Sequence, residues 1–98
     1  MYTINNQTFR TLALLKKHLV AIKRSNVLFQ PVTEDAFVRE VFSKFGLVTE
    51  DVHVFMVVKK HIEVKEEPLV VKIFVGFLKN IGVREYSVSG LRAKDYTH

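Results

Sequence analysis

The stretch VHVFMVVKKHIEVKEEPLVVKIFVGFL, residues 52–78, decides the fold class of this chain. Both of its halves are dense in β-branched and aromatic residues, and the polar KEEP segment between them is typical of a turn. We therefore predict two long antiparallel strands joined by a turn at residues 65–68. The segment KNIG then supplies a second turn, and VREYSVSGL, residues 83–91, is predicted to be a third strand.

Alternation along the two long strands predicts which side chains face the interior. The face expected to cover the helices is apolar at every second position and consists of Val52, Val54, Met56, Val58, Ile62 and Val64 in the first strand and Leu69, Val71, Ile73, Val75 and Phe77 in the second. The opposite, outer face is then expected to carry Phe55, Phe74, Lys59 and Lys72.

The sequence of the N-terminal half predicts a short strand or hairpin followed by two helices. Residues 2–9, YTINNQTF, contain two short β-prone pieces around Asn5 and Asn6, which favour a strand or hairpin. A first helix is expected to begin after Thr11 and to end at Ser25, and a second to begin after Thr33 and to end before Gly46. The predicted fold is α+β: an antiparallel sheet of three main strands plus an N-terminal strand or hairpin, with two helices packed on one face.

The composition of the chain indicates a single domain without disulfides. Ninety-eight residues with 48% hydrophobic content predict a single domain over residues 1–98, of which residues 92–98 are expected to form a flexible tail. The absence of cysteine excludes disulfides and thiolate sites. Because the N-terminus is polar and every apolar run is far shorter than the ~20 residues that span a bilayer, we expect a soluble cytoplasmic protein without a membrane partner.

The positive charge is concentrated near the N-terminus. The net charge is +5, yet no acidic residue precedes Glu34, whereas the first 33 residues hold Arg10, Lys16, Lys17, Lys23 and Arg24. The spacing of seven from Arg10 to Lys17 to Arg24, and again from Lys16 to Lys23, predicts two rows of cations with a ~10 Å repeat along the first helix. Such rows suit the phosphates of nucleic acid, and the alternative is a basic helix face that serves only solubility.

The predicted outer sheet face adds candidates for contacts with bases. Phe55 and Phe74 could stack on bases while Lys59 and Lys72 meet the backbone. In the alternative interpretation the two rings are covered by the N-terminal hairpin, by the tail or by a second copy of the chain, and in the last case they form an interaction surface. The two lysines would then protect the sheet against aggregation.

Patterns typical of enzymes are missing from the sequence. His53 and His61 would lie ~26 Å apart on one strand, too far to share a metal ion. No glycine lies in the spacing of a nucleotide-binding loop, and no nucleophile motif is present. We predict a binding protein without enzymatic activity, cofactor or metal. The second hypothesis is a protein-interaction module, such as a phage regulator, that docks on an acidic host protein, pairs its sheet edge with a partner or forms a homodimer.

The order of these segments resembles a known family. YTINNQTFRTLALLKKHLVAI, TEDAFVREVF, a β-hairpin and REYSVSGLRA are similar to the small domain of the plant defective-chloroplasts-and-leaves proteins, a domain also seen in bacterial and phage proteins. The matching positions are Phe9, Thr11, Asp35, Phe37, Phe74 and Ser87. The resemblance implies association with RNA processing or with nucleic-acid enzymes as an accessory domain, and a stand-alone form implies a phage or mobile-element protein.

Overall fold

The computed structural model describes residues 1–64 and 67–98. Its elements are β1 (Tyr2–Ile4), β2 (Gln7–Phe9), α1 (Leu12–Ser25), α2 (Asp35–Lys44), β3 (Val52–Val64), β4 (Glu67–Leu78), β5 (Val83–Tyr86) and a 3₁₀ helix (Ala93–Asp95). β1 and β2 form an antiparallel hairpin, and the main sheet is antiparallel in the order β3-β4-β5. The predicted α+β fold is confirmed. Of the predicted turn, Lys65 and Glu66 lie outside the described residues, and Glu67 and Pro68 belong to β4.

The helix ends follow the local sequence closely. The Thr11 hydroxyl accepts a hydrogen bond from the Leu14 N–H at 3.2 Å and so caps α1, as predicted. α2 begins one residue later than expected, because Glu34 rather than Thr33 occupies the cap position. Gly46, with φ +85°, follows its end. Within the described part of the chain, neither helix is long and apolar enough to cross a bilayer.

The helix-facing side of the main sheet is the opposite of the one predicted. The register shifts between Val52 and Val54, so that both Val52 and Phe55 point towards the helices. Phe55 and Phe74 are fully buried, and their rings pack against Phe42 with centroids 6.2 and 6.1 Å away. The prediction that these two rings lie on the outer face, available to a base or a partner, is therefore wrong. A single extra residue reverses the facing of every residue that follows it in the strand.

Two charged residues of α2 hold this β-bulge. The Arg39 guanidinium donates hydrogen bonds to the carbonyl oxygens of Thr49 at 3.1 Å and Val52 at 2.9 Å, and it lies 5.2 Å from the centre of the Phe55 ring. Asp35 accepts from the Phe55 N–H at 3.1 Å and pairs with Arg39 at 3.2 Å. Since α2 thus bonds the backbone on both sides of the irregular residue, it fixes which face of β3 points inward.

The C-terminal tail is docked rather than loose. The Tyr96 ring packs against Tyr2 and Phe45, with centroids 4.8 and 5.3 Å away, and its hydroxyl accepts from the Thr3 N–H at 2.9 Å. The Thr97 N–H donates to the Lys44 carbonyl at 2.7 Å. The sequence analysis expects a flexible tail at residues 92–98, and the contacts of Tyr96 give this polar segment one aromatic anchor on the folded domain.

Candidate nucleic-acid interface

Two lysines of the β3–β4 hairpin lie on the same side of the sheet as the helices. Lys59 and Lys72 are directly opposite each other in the ladder, two positions beyond the buried pair Val57 and Phe74. Because side chains alternate along a strand, both lysines share the inner face, so the prediction that they lie on the outer face is wrong. Directly opposed residues have Cβ atoms about 4.5–5.5 Å apart, and like charges in that arrangement repel.

The end of α1 brings two more cations to this place. Lys23 and Arg24, in the last turn of the helix, line a groove of about 330 Å³ together with Lys72. The floor of this groove includes Val20 of α1 and Val71 of β4. We call Lys23, Arg24, Lys59 and Lys72 the basic cluster. Helix and hairpin contribute two cations each, although the two pairs are more than thirty residues apart in sequence.

A larger groove of about 520 Å³ extends from the basic cluster along β4. β5 pairs with β4 only over residues 74–77, so in the described part of the sheet the adjoining edge of β4 has no neighbouring strand. The groove lies along this open edge. Lys16 reaches into this groove and donates to the Ser89 carbonyl at 3.4 Å, and the hydroxyls of Ser87 and Ser89 lie 2.9 Å apart. Lys60 also lines the groove, but its charge is paired with Glu85 at 2.8 Å.

The charge of this region is not balanced by carboxylates. Among the described residues, the ion pairs join Arg39 to Asp35, Lys60 to Glu85 and Arg84 to Asp51, and none of them includes Lys16 or the basic cluster. Partial burial lowers the pKa of Lys23, and the neighbouring charge of Arg24 lowers it further. An anion in the groove would offset both effects, because it would stabilise the protonated amine.

The structure does not place all the predicted cations on one surface. Arg10 and Lys17 line a separate groove of about 420 Å³ beside β2, together with Phe9 and His18. The orientation of α1 is set by its buried residues Leu15, Leu19 and Ile22. In this orientation Lys16 and Lys23 face β4, whereas Lys17 lines the groove beside β2. The predicted row Arg10, Lys17 and Arg24 is therefore divided between two grooves.

One candidate residue was missed from the sequence. Phe29, in the connection between α1 and α2, has a side chain that is 63% exposed and a backbone φ of +62°. For a residue with a bulky side chain, this left-handed conformation costs about 1–2 kcal/mol. The signal in the sequence was an aromatic residue in the connection NVLFQPV, residues 26–32, two positions before Pro31.

The connection that carries Phe29 is held firmly. The Phe29 N–H donates to the Val57 carbonyl at 2.9 Å, and the Val32 N–H donates to the Phe55 carbonyl at 2.8 Å. The Asn26 side chain donates to Glu34 at 2.9 Å and accepts from the Thr33 N–H at 3.0 Å. Hydrogen bonds from Asn26 and Thr33 lower the pKa of Glu34, which keeps its carboxylate charged.

Comparisons of this chain with models of known protein families, with curated proteins and with solved structures gave no match. The similarity to the defective-chloroplasts-and-leaves domain stays a prediction. What the site can do is therefore inferred from its own charges and geometry, which suit a polyanion with several regularly spaced negative groups.

Proposed function

We propose that this protein is a non-enzymatic accessory protein that binds nucleic acid, with Lys16 and the basic cluster contacting phosphates. The observation that carries the proposal is the convergence of α1 and the β3–β4 hairpin on two adjoining grooves, where Lys16 and the basic cluster have no carboxylate partner among the described residues. The resemblance noted in the sequence implies association with RNA processing and agrees with this function.

The spacing of these cations fits a phosphate backbone. Lys16 and Lys23 are seven residues apart on α1, a separation of ~10 Å along the helix axis. Successive phosphates of one strand are spaced about 3.4 Å along a duplex axis, so the two lysines match phosphates about three nucleotides apart. The hydroxyls of Ser87 and Ser89 can donate to further phosphate oxygens, as serine side chains do in such interfaces.

Contacts with phosphates alone would make binding weak at physiological salt and independent of sequence. Five phosphate contacts predict that the logarithm of the association constant falls with the logarithm of salt concentration with a slope of about −4 to −5 on duplex DNA. Since Phe55 and Phe74 are buried, the stacking surface expected from the sequence does not contribute.

A salt titration with matched charge reversals tests this proposal. Binding of labelled single- and double-stranded oligonucleotides is measured by fluorescence anisotropy for the wild type, for Lys23→Glu/Lys72→Glu and for Lys79→Glu/Lys94→Glu. The control changes net charge equally but at exposed lysines elsewhere, since Lys79 lies seven residues from Lys72, ~23 Å along the strand direction. We expect the first pair to weaken binding at least about 100-fold and the control far less.

Two results would contradict the proposal. The first is a wild-type protein that retains no oligonucleotide even at low salt. The second is an equal loss of affinity in both double variants, since that would reflect net charge rather than a defined surface.

The outer sheet face supports a second candidate function, self-association into a homodimer. Six apolar side chains form its centre: Val54, Met56, Val58, Ile73, Val75 and Phe77. The face continues to Leu69, which is 52% exposed, and two of its charged residues, Lys60 and Glu85, are paired with each other. A dimer through this face would leave both basic clusters outside the interface.

The dimer is tested by analytical ultracentrifugation over a range of concentrations. We expect the wild type to dimerise and Met56→Lys to remain monomeric, because a charge at the centre of an apolar interface would be buried without a partner. Thr3→Lys, at an exposed position of β1, is the control and is expected to dimerise normally. A wild type that stays monomeric at high concentration would exclude this candidate.

A further inference from the structure

We infer that Phe29 stacks on an unpaired base of the nucleic acid whose phosphates lie on the basic cluster. The inference rests on the proposed function and adds to it the form of the ligand, a single-stranded or locally unpaired segment. It replaces the stacking role that the sequence analysis gave to Phe55 and Phe74.

The ring of Phe29 is exposed to solvent, and the segment between α1 and α2 that carries it is fixed by hydrogen bonds. With 63% of its surface exposed, the side chain contributes little to the core. Yet the backbone on either side is fixed to β3, through the Phe29 N–H on Val57 and the Val32 N–H on Phe55. A fixed backbone reduces the conformational entropy that would be lost when a ligand orders the ring.

The backbone conformation of Phe29 also supports a role in binding. Among the residues that the structure describes, three other than glycine have positive φ, and two of them, Asn5 and Asn6, form the turn of the β1–β2 hairpin, where asparagine is well tolerated. Phe29 is the third, and its bulky side chain is poorly suited to this conformation. An exposed aromatic ring at a strained position gains no burial that would offset the strain, which is a pattern associated with binding sites.

Phe29 lies next to the basic cluster. Its N–H bonds to Val57, and Lys59 is two residues further along β3, so the backbones of Phe29 and Lys59 lie within about 10 Å. Along the chain, the last turn of α1 with Lys23 and Arg24 ends only four residues before Phe29. A flat ring flanked by cations is the arrangement by which proteins hold single strands, since the ring meets a base while the cations meet phosphates.

In a duplex only the edges of the bases are exposed, in the grooves. An aromatic ring can therefore stack only on a base that is unpaired and unstacked. Affinity for a single strand should therefore depend on Phe29, whereas affinity for an intact duplex should depend on the cations alone. This difference separates base stacking from a general gain in affinity that any exposed apolar group could give.

The test uses the absence of tryptophan from the chain. Phe29→Trp introduces a single tryptophan, whose fluorescence is quenched when it stacks on a base. The probes are a single-stranded DNA oligonucleotide, its RNA counterpart and an abasic oligonucleotide of the same length. We expect quenching at saturation with at least one of the base-containing strands and none with the abasic strand, although the abasic strand still binds through its phosphates.

Affinity measurements complete the test. Phe29→Gly and Phe29→Leu are expected to bind the single strand about 5- to 100-fold more weakly than the wild type, because neither offers a flat ring. Their affinity for a duplex should be unchanged. Phe29→Gly should melt at the same temperature as the wild type or higher, since glycine accepts the positive φ.

The outcomes distinguish this inference from the proposed function. Wild-type binding with full single-strand affinity in Phe29→Gly, full affinity in Phe29→Leu or equal quenching by the abasic strand would overturn the inference and leave the phosphate contacts in place. A wild type that binds no oligonucleotide would overturn both.

Discussion

The two faces of the β3–β4 hairpin are both apolar, yet only one of them meets the helices. The inner face has the large rings of Phe55 and Phe74, which pack with Phe42 and Tyr86 of the core. The outer face has Val54, Met56 and Phe77 around Val75, which is itself buried but lies outside the main core cluster. Apolar alternation therefore shows that a strand is half-buried or more, but it does not show which face the helices cover.

The choice of face has a direct consequence for the candidate site. Lys59 and Lys72 continue the inner face beyond Val57 and Phe74, and Lys72 lines a groove with Lys23 and Arg24 at the end of α1. With the faces exchanged, these lysines would lie on the opposite side of the sheet from Lys23 and Arg24, and no basic cluster would form. The bulge at the start of β3 thus determines both the core and the charge distribution.

The largest effect is expected from truncating a ring of the inner face. Phe55→Ala should lower the free energy of unfolding by about 3–5 kcal/mol, because it leaves a cavity among buried aromatic rings. Met56→Ala, the neighbouring residue on the outer face, should cost much less, since its side chain is already partly exposed. Urea denaturation of both variants measures the difference, and equal losses would contradict the assignment of the faces.

The next largest effect concerns the bulge itself. Arg39→Met removes the donors to the carbonyls of Thr49 and Val52 and should destabilise the protein by about 2–4 kcal/mol, because hydrogen bonds from a charged donor are strong. Arg92→Met, at an exposed arginine in the tail, is the matched control and should change stability little. A loss in Arg39→Met no larger than in the control would show that α2 does not hold the bulge.

Gly76 offers a smaller and more local test of the inner face. A Cβ atom at Gly76 would lie 2.9 Å from both the Tyr86 ring and a Val52 methyl group. Gly76→Ala should therefore cost about 1–3 kcal/mol through overpacking. The corresponding change at Gly90 meets no atom closer than 3.6 Å and should be nearly neutral. If thermal denaturation finds the two substitutions equal, Gly76 does not face Tyr86.

The smallest effect is a change in acid stability. Two hydrogen bonds from Arg84, of 2.7 and 2.8 Å, lower the pKa of Asp51. Because the folded pKa is below the unfolded value of about 3.9, this stabilisation is present above that pH and is lost as the pH falls through the folded pKa. Melting temperatures of Asp51→Asn should therefore fall less steeply in acid than those of the wild type. The melting temperature of Asp51→Asn should still fall in acid, because the pKa of Glu34 is lowered as well.

An identical acid profile in both proteins would mean that Asp51 and Arg84 are not paired in solution. The pair is relevant to the comparison of faces because Asp51 lies directly before β3 and Arg84 belongs to β5, so their hydrogen bonds join the start of β3 to β5.

The sequence was sufficient for the features that depend on local patterns. The cap of α1, the α+β class and the two long strands all follow from residues within one or two turns of each other. The face of β3 could not be predicted in this way, because the bulge is held by Asp35 and Arg39, which are separated from it by a loop. The docked tail likewise depends on Tyr96 meeting Tyr2 at the other end of the chain.

The candidate site was predicted in its components but not in its arrangement. Lys23, Arg24, Lys59 and Lys72 were all identified from the sequence, although the last two were assigned to the wrong face. Phe29 was missed, because no periodic pattern indicates whether a ring in a connection is buried or displayed.

An NMR titration of the labelled protein with a single-stranded oligonucleotide tests the central claim most directly. If the basic cluster is the binding surface, amide signals of Lys23 and Lys72 and methyl signals of Val20 should shift, while the methyl signals of Val54 and Val75 on the outer face should stay in place. Shifts confined to the outer face, or no shifts at saturating oligonucleotide, would contradict the account.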